Sequence, residues 1–185
     1  MKKELWGIII RYLILVAVAI PGFGYLYYIF SPITTYPVGF LLSLIYNIQM
    51  SSGTILIGNL ALIEIIGACI AGSAYYFIFI LNLSVPNVKI KKRIEMIIFS
   101  FAVFLIINIL RIFILSIMFV SGSAFFDITH KVFWYLGSTL FVILIWFLEV
   151  KIFKIKEIPF YSDLRTLYLG SLLRKFKKNK KKNKK

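Results

Sequence analysis

A long apolar run, residues 96–126, contains a single charged side chain, that of Arg111. A helix needs about 20 consecutive apolar residues to cross the hydrocarbon core of a bilayer, so the run predicts a membrane helix. An arginine near the centre of such a helix costs roughly 2.5–3.5 kcal/mol on insertion scales, and intramembrane charges usually face a partner or a water-filled cavity. The run therefore predicts both a membrane-embedded chain and a polar site around Arg111.

The composition of the whole chain leads to the same class of protein. Of its 185 residues 61% are hydrophobic, and the mean hydropathy is +0.91. These values exclude an ordinary soluble domain. They predict an all-α, polytopic transmembrane protein with one integral-membrane domain, residues 1–150, and a basic cytoplasmic tail, residues 151–185.

The basic residues predict the orientation of the chain. The net charge is +15, and 20 of the 22 lysines and arginines lie up to residue 11, at residues 89–93 or from residue 151 onward. Segments rich in Lys and Arg are cytoplasmic. We therefore expect a multi-pass protein of the cell membrane with both termini in the cytoplasm.

The end of the tail is the most basic part of the chain, with nine Lys or Arg among residues 174–185. A basic segment next to a membrane gains about 1 kcal/mol per charge from anionic lipids. Membrane lipids, and not nucleic acid, are the expected partner of this tail.

Four apolar stretches predict clear membrane spans, near residues 5–30, 69–88, 94–120 and 132–150. Pro21-Gly22 interrupts the first, which carries Arg11 close enough to the inner face to snorkel. Each of the other three is bounded on its inner side by a basic cluster, so the spans alternate in direction.

The stretch between the first two spans is harder to interpret. Residues 38–50 are apolar but too few to cross a bilayer, which predicts an interfacial or re-entrant helix. Residues 54–66 are rich in isoleucine around Gly58-Asn59, which favours a β-hairpin at the outer face. The alternative is two further spans, and Cys69 lies at the outer side in either case.

Three side chains form a candidate catalytic set. Cys69 and His130, the chain's only cysteine and histidine, stand at the outer edges of predicted spans, and Arg111 lies in the outer half of its own. The thiolate is the nucleophilic form of cysteine, and a neighbouring cation stabilises it. His130 can transfer a proton near neutral pH.

Two further residues are predicted to support this set. Asn108 precedes Arg111 by three residues and therefore shares its helical face. Asp127 precedes His130 by three, a spacing from which a carboxylate can orient an imidazole. Neither a metal nor an organic cofactor is implied. The bland alternative for Cys69 is a small packing residue, since only its surroundings make a cysteine reactive.

The order of these motifs resembles the exosortase/archaeosortase family of integral-membrane cysteine transpeptidases. The matching segments are residues 67–73 around Cys69, the Asn-x-x-Arg motif of residues 108–111, and His130. The resemblance covers roughly residues 38–150. In one departure, Ile70 and Ala71 follow the cysteine where many members have a small polar residue and a glycine.

The resemblance implies a membrane-embedded protein-sorting cysteine protease or transpeptidase. Members of the family act on secreted proteins whose C-terminus carries a short motif, a transmembrane helix and a basic cluster, and they cut near the outer membrane face. The new C-terminus passes to water, a lipid or another acceptor, and archaeal members are associated with a lipid. Carried over, Cys69 is the nucleophile, Arg111 stabilises the thiolate or the oxyanion, and His130 is the general acid and base.

Two other functions fit the residues. One is a non-enzymatic module, such as the substrate-binding subunit of a small transporter, in which Arg111 pairs with an anionic solute. The other is a structural membrane subunit.

Overall fold

The computed structural model describes residues 2–22, 24–51, 53–161, 163–165 and 167–168, with side chains from Trp6 onward. The fold is mostly helical, 72% of it, and includes one small three-stranded sheet. The described helices are α1 (Lys2–Ala19), α2 (Gly24–Ser43), α3 (Gly67–Ile70), α4 (Gly72–Leu83), α5 (Ile90–Val120), α6 (Phe126–Val132) and α7 (Ser138–Ile152). The strands are β1 (Ile48–Ser51), β2 (Thr54–Ile57) and β3 (Ala61–Glu64).

Two helical stretches are long and apolar enough to cross a membrane. One is α5, and the other is Phe126–Ile152, in which a π-helical turn, Phe133–Gly137, joins α6 to α7. These two candidate spans coincide with the spans that the sequence predicts near residues 94–120 and 132–150. The pair α1 and α2, bent by 75° at the break, counts as a third candidate span. The described part of the chain therefore has two or three candidate spans where the sequence predicts four clear ones.

The first predicted span, residues 5–30, is two helices and not one. α1 ends at Ala19 and α2 begins at Gly24, on either side of Pro21-Gly22. Proline removes a backbone donor, and Gly22 has a φ of +72°, a left-handed conformation that glycine adopts without strain. Pro21 and Gly22 therefore end α1 in the way these residue types usually end a helix.

The predicted short helix at residues 38–50 is wrong. Its first part completes α2, which runs through Pro32 and Pro37, and its last part is β1. Prolines are tolerated in membrane helices because neighbouring helices and side chains satisfy the freed backbone groups. The helix is therefore continuous from Gly24 to Ser43, across the end of the predicted first span at residue 30 and the start of the predicted short helix at residue 38.

The hairpin predicted around Gly58-Asn59 is present. β2 and β3 pair antiparallel with Ile55 opposite Ile63, and β1 adds to the other side of β2. The isoleucine face of the sheet packs against Val38 and Leu42 of α2 and against Ile112 of α5. The sheet therefore rests on protein, as a sheet in a membrane protein must.

The predicted span at residues 69–88 is also interrupted. α3 is a single turn, Ala71 follows it with a left-handed φ of 56°, and α4 then runs only to Leu83. Tyr75 of α4 is fully buried and stacks on Phe30 with 3.8 Å between ring centroids. This packing holds α4, and with it the break at Ala71, against α2.

The strained conformation of Ala71 gives a stability prediction. A left-handed φ costs a non-glycine residue about 1–2 kcal/mol, so Ala71→Gly is expected to raise the unfolding free energy by about 1 kcal/mol. The matched control is Ala74→Gly, within α4, which is expected to lower it by about 1 kcal/mol. Thermal unfolding in detergent measures both. Equal destabilisation by the two variants would show that Ala71 carries no strain.

Polar contacts join α1 to the segment between α4 and α5 and to the segment that follows α7. Arg11 does not simply snorkel: its Nη2 pairs with Asp163 at 2.6 Å and its Nη1 donates to the Val85 carbonyl at 2.9 Å. Arg93 donates to the same carbonyl at 2.7 Å. These contacts hold the start of the segment that follows α7 against α1. The basic residues 174–185 lie outside the described part of the chain.

Candidate functional site

One cavity, of about 760 Å³, contains the three residues of the predicted catalytic set. Its volume is typical of ligand sites. Cys69, Arg111 and His130 all line it, although they come from α3, α5 and α6. The other polar lining side chains are those of Tyr27, Glu64, Ser73, Ser116, Trp134, Ser138 and Thr139.

The backbone at Cys69 explains how the site is held together. The helical hydrogen-bond ladder breaks at Ala71, so carbonyls at the end of α3 need other donors. The Cys69 carbonyl accepts one hydrogen bond from Asn108 Nδ2 at 2.9 Å and another from Arg111 Nη2 at 3.1 Å. The Asn-x-x-Arg motif therefore caps the one-turn helix that carries the cysteine.

The Cys69 thiol is free and half-buried. The Arg111 guanidinium lies near enough to interact with it electrostatically. Arg111 thus donates a hydrogen bond to the carbonyl of Cys69 and also interacts electrostatically with its sulfur.

Arg111 is buried, with only 8% of its surface exposed. Its Nη1 donates to Ser138 Oγ at 3.3 Å, and within the described residues no carboxylate lies at ion-pair distance. Its Nε also has no hydrogen-bond partner among them. Neutral oxygens bind two sides of the guanidinium, and no carboxylate of the described residues pairs with its positive charge beside the cavity.

His130 is held by aromatic rings. Its imidazole stacks on Phe126, with ring centroids 5.4 Å apart and an interplanar angle of 12°, and meets Trp134 edge-on at 5.8 Å. In the described structure it forms no hydrogen bond to Cys69 or to Asp127. Asp127 is exposed and does not line the cavity, so its orienting role remains a prediction.

Sequence reasoning missed two parts of the site. Ser138, the partner of Arg111, directly follows the π-helical turn Phe133–Gly137. Such turns are frequent at functional sites, but they leave no clear signal in a single sequence. Glu64, which lies within the predicted hairpin of residues 54–66, also lines the cavity.

No protein-family model, curated protein or solved structure matches this chain significantly. Within the described residues, no group of three or more His, Cys, Asp or Glu side chains is arranged to hold a metal ion.

Proposed function

We propose that the chain is a membrane-embedded cysteine protease or transpeptidase that cleaves C-terminal sorting signals of secreted proteins near the outer membrane face. The observation that carries the proposal is the convergence of Cys69, Arg111 and His130, the chain's only cysteine and histidine among them, on one cavity. A thiol and an imidazole can serve as the nucleophile and the acid–base group of acyl transfer through a thioester, and a fixed cation can stabilise the thiolate or the oxyanion.

In the proposed reaction the Cys69 thiolate attacks the carbonyl carbon of the scissile peptide bond. The negative charge that develops on the carbonyl oxygen faces the Arg111 guanidinium, and stabilisation of such an oxyanion is usually the largest catalytic term. The C–N bond breaks as His130 protonates the leaving amine, which leaves a thioester on Cys69. Water, an amine or a hydroxyl group then attacks the thioester, His130 accepts its proton, and the thiolate is released.

The proposed topology has four crossings. They are the α1–α2 pair, the helical stretch Gly67–Leu83, α5, and Phe126–Ile152. With the basic clusters in the cytoplasm, this arrangement places the cavity at the outer face, where secreted substrates emerge.

Topology yields a prediction that does not depend on the chemistry. In a Cys69→Ser background, a cysteine introduced by Asp127→Cys is expected to react with a membrane-impermeant maleimide in intact cells, because Asp127 is exposed beside the outer end of α6. Lys91→Cys, in the basic loop, is the matched inner control and is expected to react only after permeabilisation. The reverse pattern would contradict the orientation.

The activity itself is tested with secreted proteins from the same genome that end in a short motif, an apolar span and a basic cluster. Each is tagged at its N-terminus and expressed with the wild-type chain, and processing is followed by immunoblot. A covalent adduct between substrate and chain that hydroxylamine releases is the expected thioester. Absence of both processing and adduct for every such substrate would contradict the proposal.

One observation supports the binding-module alternative. Arg111 has no carboxylate partner among the described residues and lines a cavity, an arrangement that also suits an anionic solute. That function needs the guanidinium but not the sulfur, so variants of Cys69 separate the two proposals.

A further inference from the structure

The sheet presents an open edge to the candidate active site. The strand order is β1-β2-β3, so within the described chain β3 pairs on one side only, with β2. Three consecutive residues of β3, Leu62, Ile63 and Glu64, line the cavity that contains Cys69.

The register shows which backbone groups point to this edge. Ile65 donates its N–H to the Gly53 carbonyl at 2.9 Å, which makes these two residues a hydrogen-bonded pair. Hydrogen-bonded and non-hydrogen-bonded pairs alternate along an antiparallel ladder. Ile63 is therefore bonded to β2, whereas the N–H and C=O groups of Leu62 and Glu64 point away from it.

Hydrogen-bonded and non-hydrogen-bonded pairs also alternate between β2 and β1. Gly58 donates its N–H to the Asn47 carbonyl at 2.9 Å, so the even-numbered residues of β2 face β1 and the odd-numbered ones face β3. Two independent hydrogen bonds thus give one assignment of inward and outward groups.

An open strand edge needs a partner. Unpaired backbone groups at membrane depth are tolerated only against protein or a water-filled cavity, and a free edge is a template for another extended chain. Peptide recognition by strand addition uses this property: main-chain hydrogen bonds supply affinity, and pockets for alternate side chains supply specificity.

We propose that the substrate segment at the scissile bond binds in extended conformation as a fourth strand along β3, hydrogen-bonded to Leu62 and Glu64. The inference rests on the proposed function and adds its substrate class: an unfolded polypeptide segment, not a helix and not a small solute. The edge and Cys69 line the same cavity, so a strand paired with β3 would run through the cavity that contains the thiol. Cleavage then falls outside the substrate's transmembrane helix.

The first test removes one backbone N–H donor from the open edge of β3. Glu64→Pro deletes the outward N–H and leaves the pairing of β3 with β2 intact, because proline is accepted on edge strands where its nitrogen faces outward. Processing of the tagged secreted substrate is expected to fall about tenfold, as expected for one lost hydrogen bond plus the ring's steric block at the edge. Met50→Pro is the matched control, since the Met50 nitrogen points outward on the opposite edge, and it is expected to process within about twofold of wild type. Wild-type processing by Glu64→Pro, with the protein at normal abundance, would overturn the inference.

The second test does not depend on the proline variant folding. A chain carrying Cys69→Ser and Leu62→Cys has one cysteine, and single cysteines are placed at successive positions of the uncleaved substrate before its transmembrane helix. Strand pairing predicts disulfide cross-links at every second position, because alternate side chains of a strand share a face. Cross-links at all positions or at none would overturn strand addition. Processing that survives Cys69→Ala would instead overturn the proposed function, so the two failures are distinguishable.

Discussion

Replacing Cys69 by serine is expected to abolish substrate processing while leaving the chain in the membrane at normal abundance. Serine differs little in volume from cysteine, and its hydroxyl can take over the backbone hydrogen bond that Ile66 makes to the half-buried side chain at position 69. Its hydroxyl is essentially un-ionised at neutral pH and is a much weaker nucleophile. An immunoblot for substrate size, with the chain quantified in the same membranes, measures the effect.

The same experiment includes His130→Ala and the double variant with Cys69→Ala. Residues that act as one unit lose nearly all the rate singly and little more together, so the double variant is expected to be no worse than either single one. A transporter subunit or a structural subunit tolerates Cys69→Ser. Full processing by Cys69→Ser at normal abundance would defeat the thioester mechanism.

The sequence predicts the fold best where a pattern is local. The length of the apolar run is enough to predict α5, and Gly58-Asn59 between isoleucine-rich segments is enough to predict the hairpin of β2 and β3. The continuity of α2 was missed because residues 5–30 and 38–50 were predicted as separate elements, whereas the helix runs through Pro32 and Pro37, which membrane helices tolerate. β1 was missed because a strand of four residues is defined by its pairing with β2 and not by its own composition.

The candidate site, too, could be predicted from the sequence only where its pattern is local. The i, i+3 spacing places Asn108 and Arg111 on one face, and the structure has both donating to the Cys69 carbonyl. The two side chains bind this carbonyl because the helix breaks at Ala71. The break could not be predicted, because the left-handed conformation there is normally adopted by glycine or asparagine and not by alanine. The two rings that contact His130 lie four residues before and four residues after it. This spacing alone does not predict the contacts, because many phenylalanines in this chain have an aromatic residue at the same spacing.

The buried position of Glu149 was not predicted. It lies within α7, is fully buried and accepts a hydrogen bond from Asn82 at 3.1 Å. Asn82 also contacts Ser100 of α5 at 3.3 Å. Polar groups inside the bundle therefore join α4, α5 and α7, and a hydropathy profile averages over them.

Arg111→Lys is expected to insert normally and to lose about 100-fold or more in processing rate, the effect of removing one oxyanion-stabilising donor. The planar guanidinium donates to the Cys69 carbonyl and to Ser138 while its Nε remains without a protein partner within the described structure. A lysine ammonium is a compact charge that cannot reproduce this fork. Initial processing rates, normalised to membrane abundance, measure the loss.

Arg111→Leu completes the test of the charge. Removing the arginine relieves an insertion cost of roughly 2.5–3.5 kcal/mol, so the variant is expected to insert at least as well as wild type and to be inactive. Ser138→Ala is the matched control: it removes one anchor of the guanidinium and keeps the charge, and its loss is expected to be smaller than that of either Arg111 variant. Wild-type processing by Arg111→Leu would remove the guanidinium from the mechanism. Because an anion-binding subunit also needs Arg111 but tolerates serine at position 69, loss of function in both Arg111→Leu and Cys69→Ser is the pattern that only the acyl-transfer mechanism predicts.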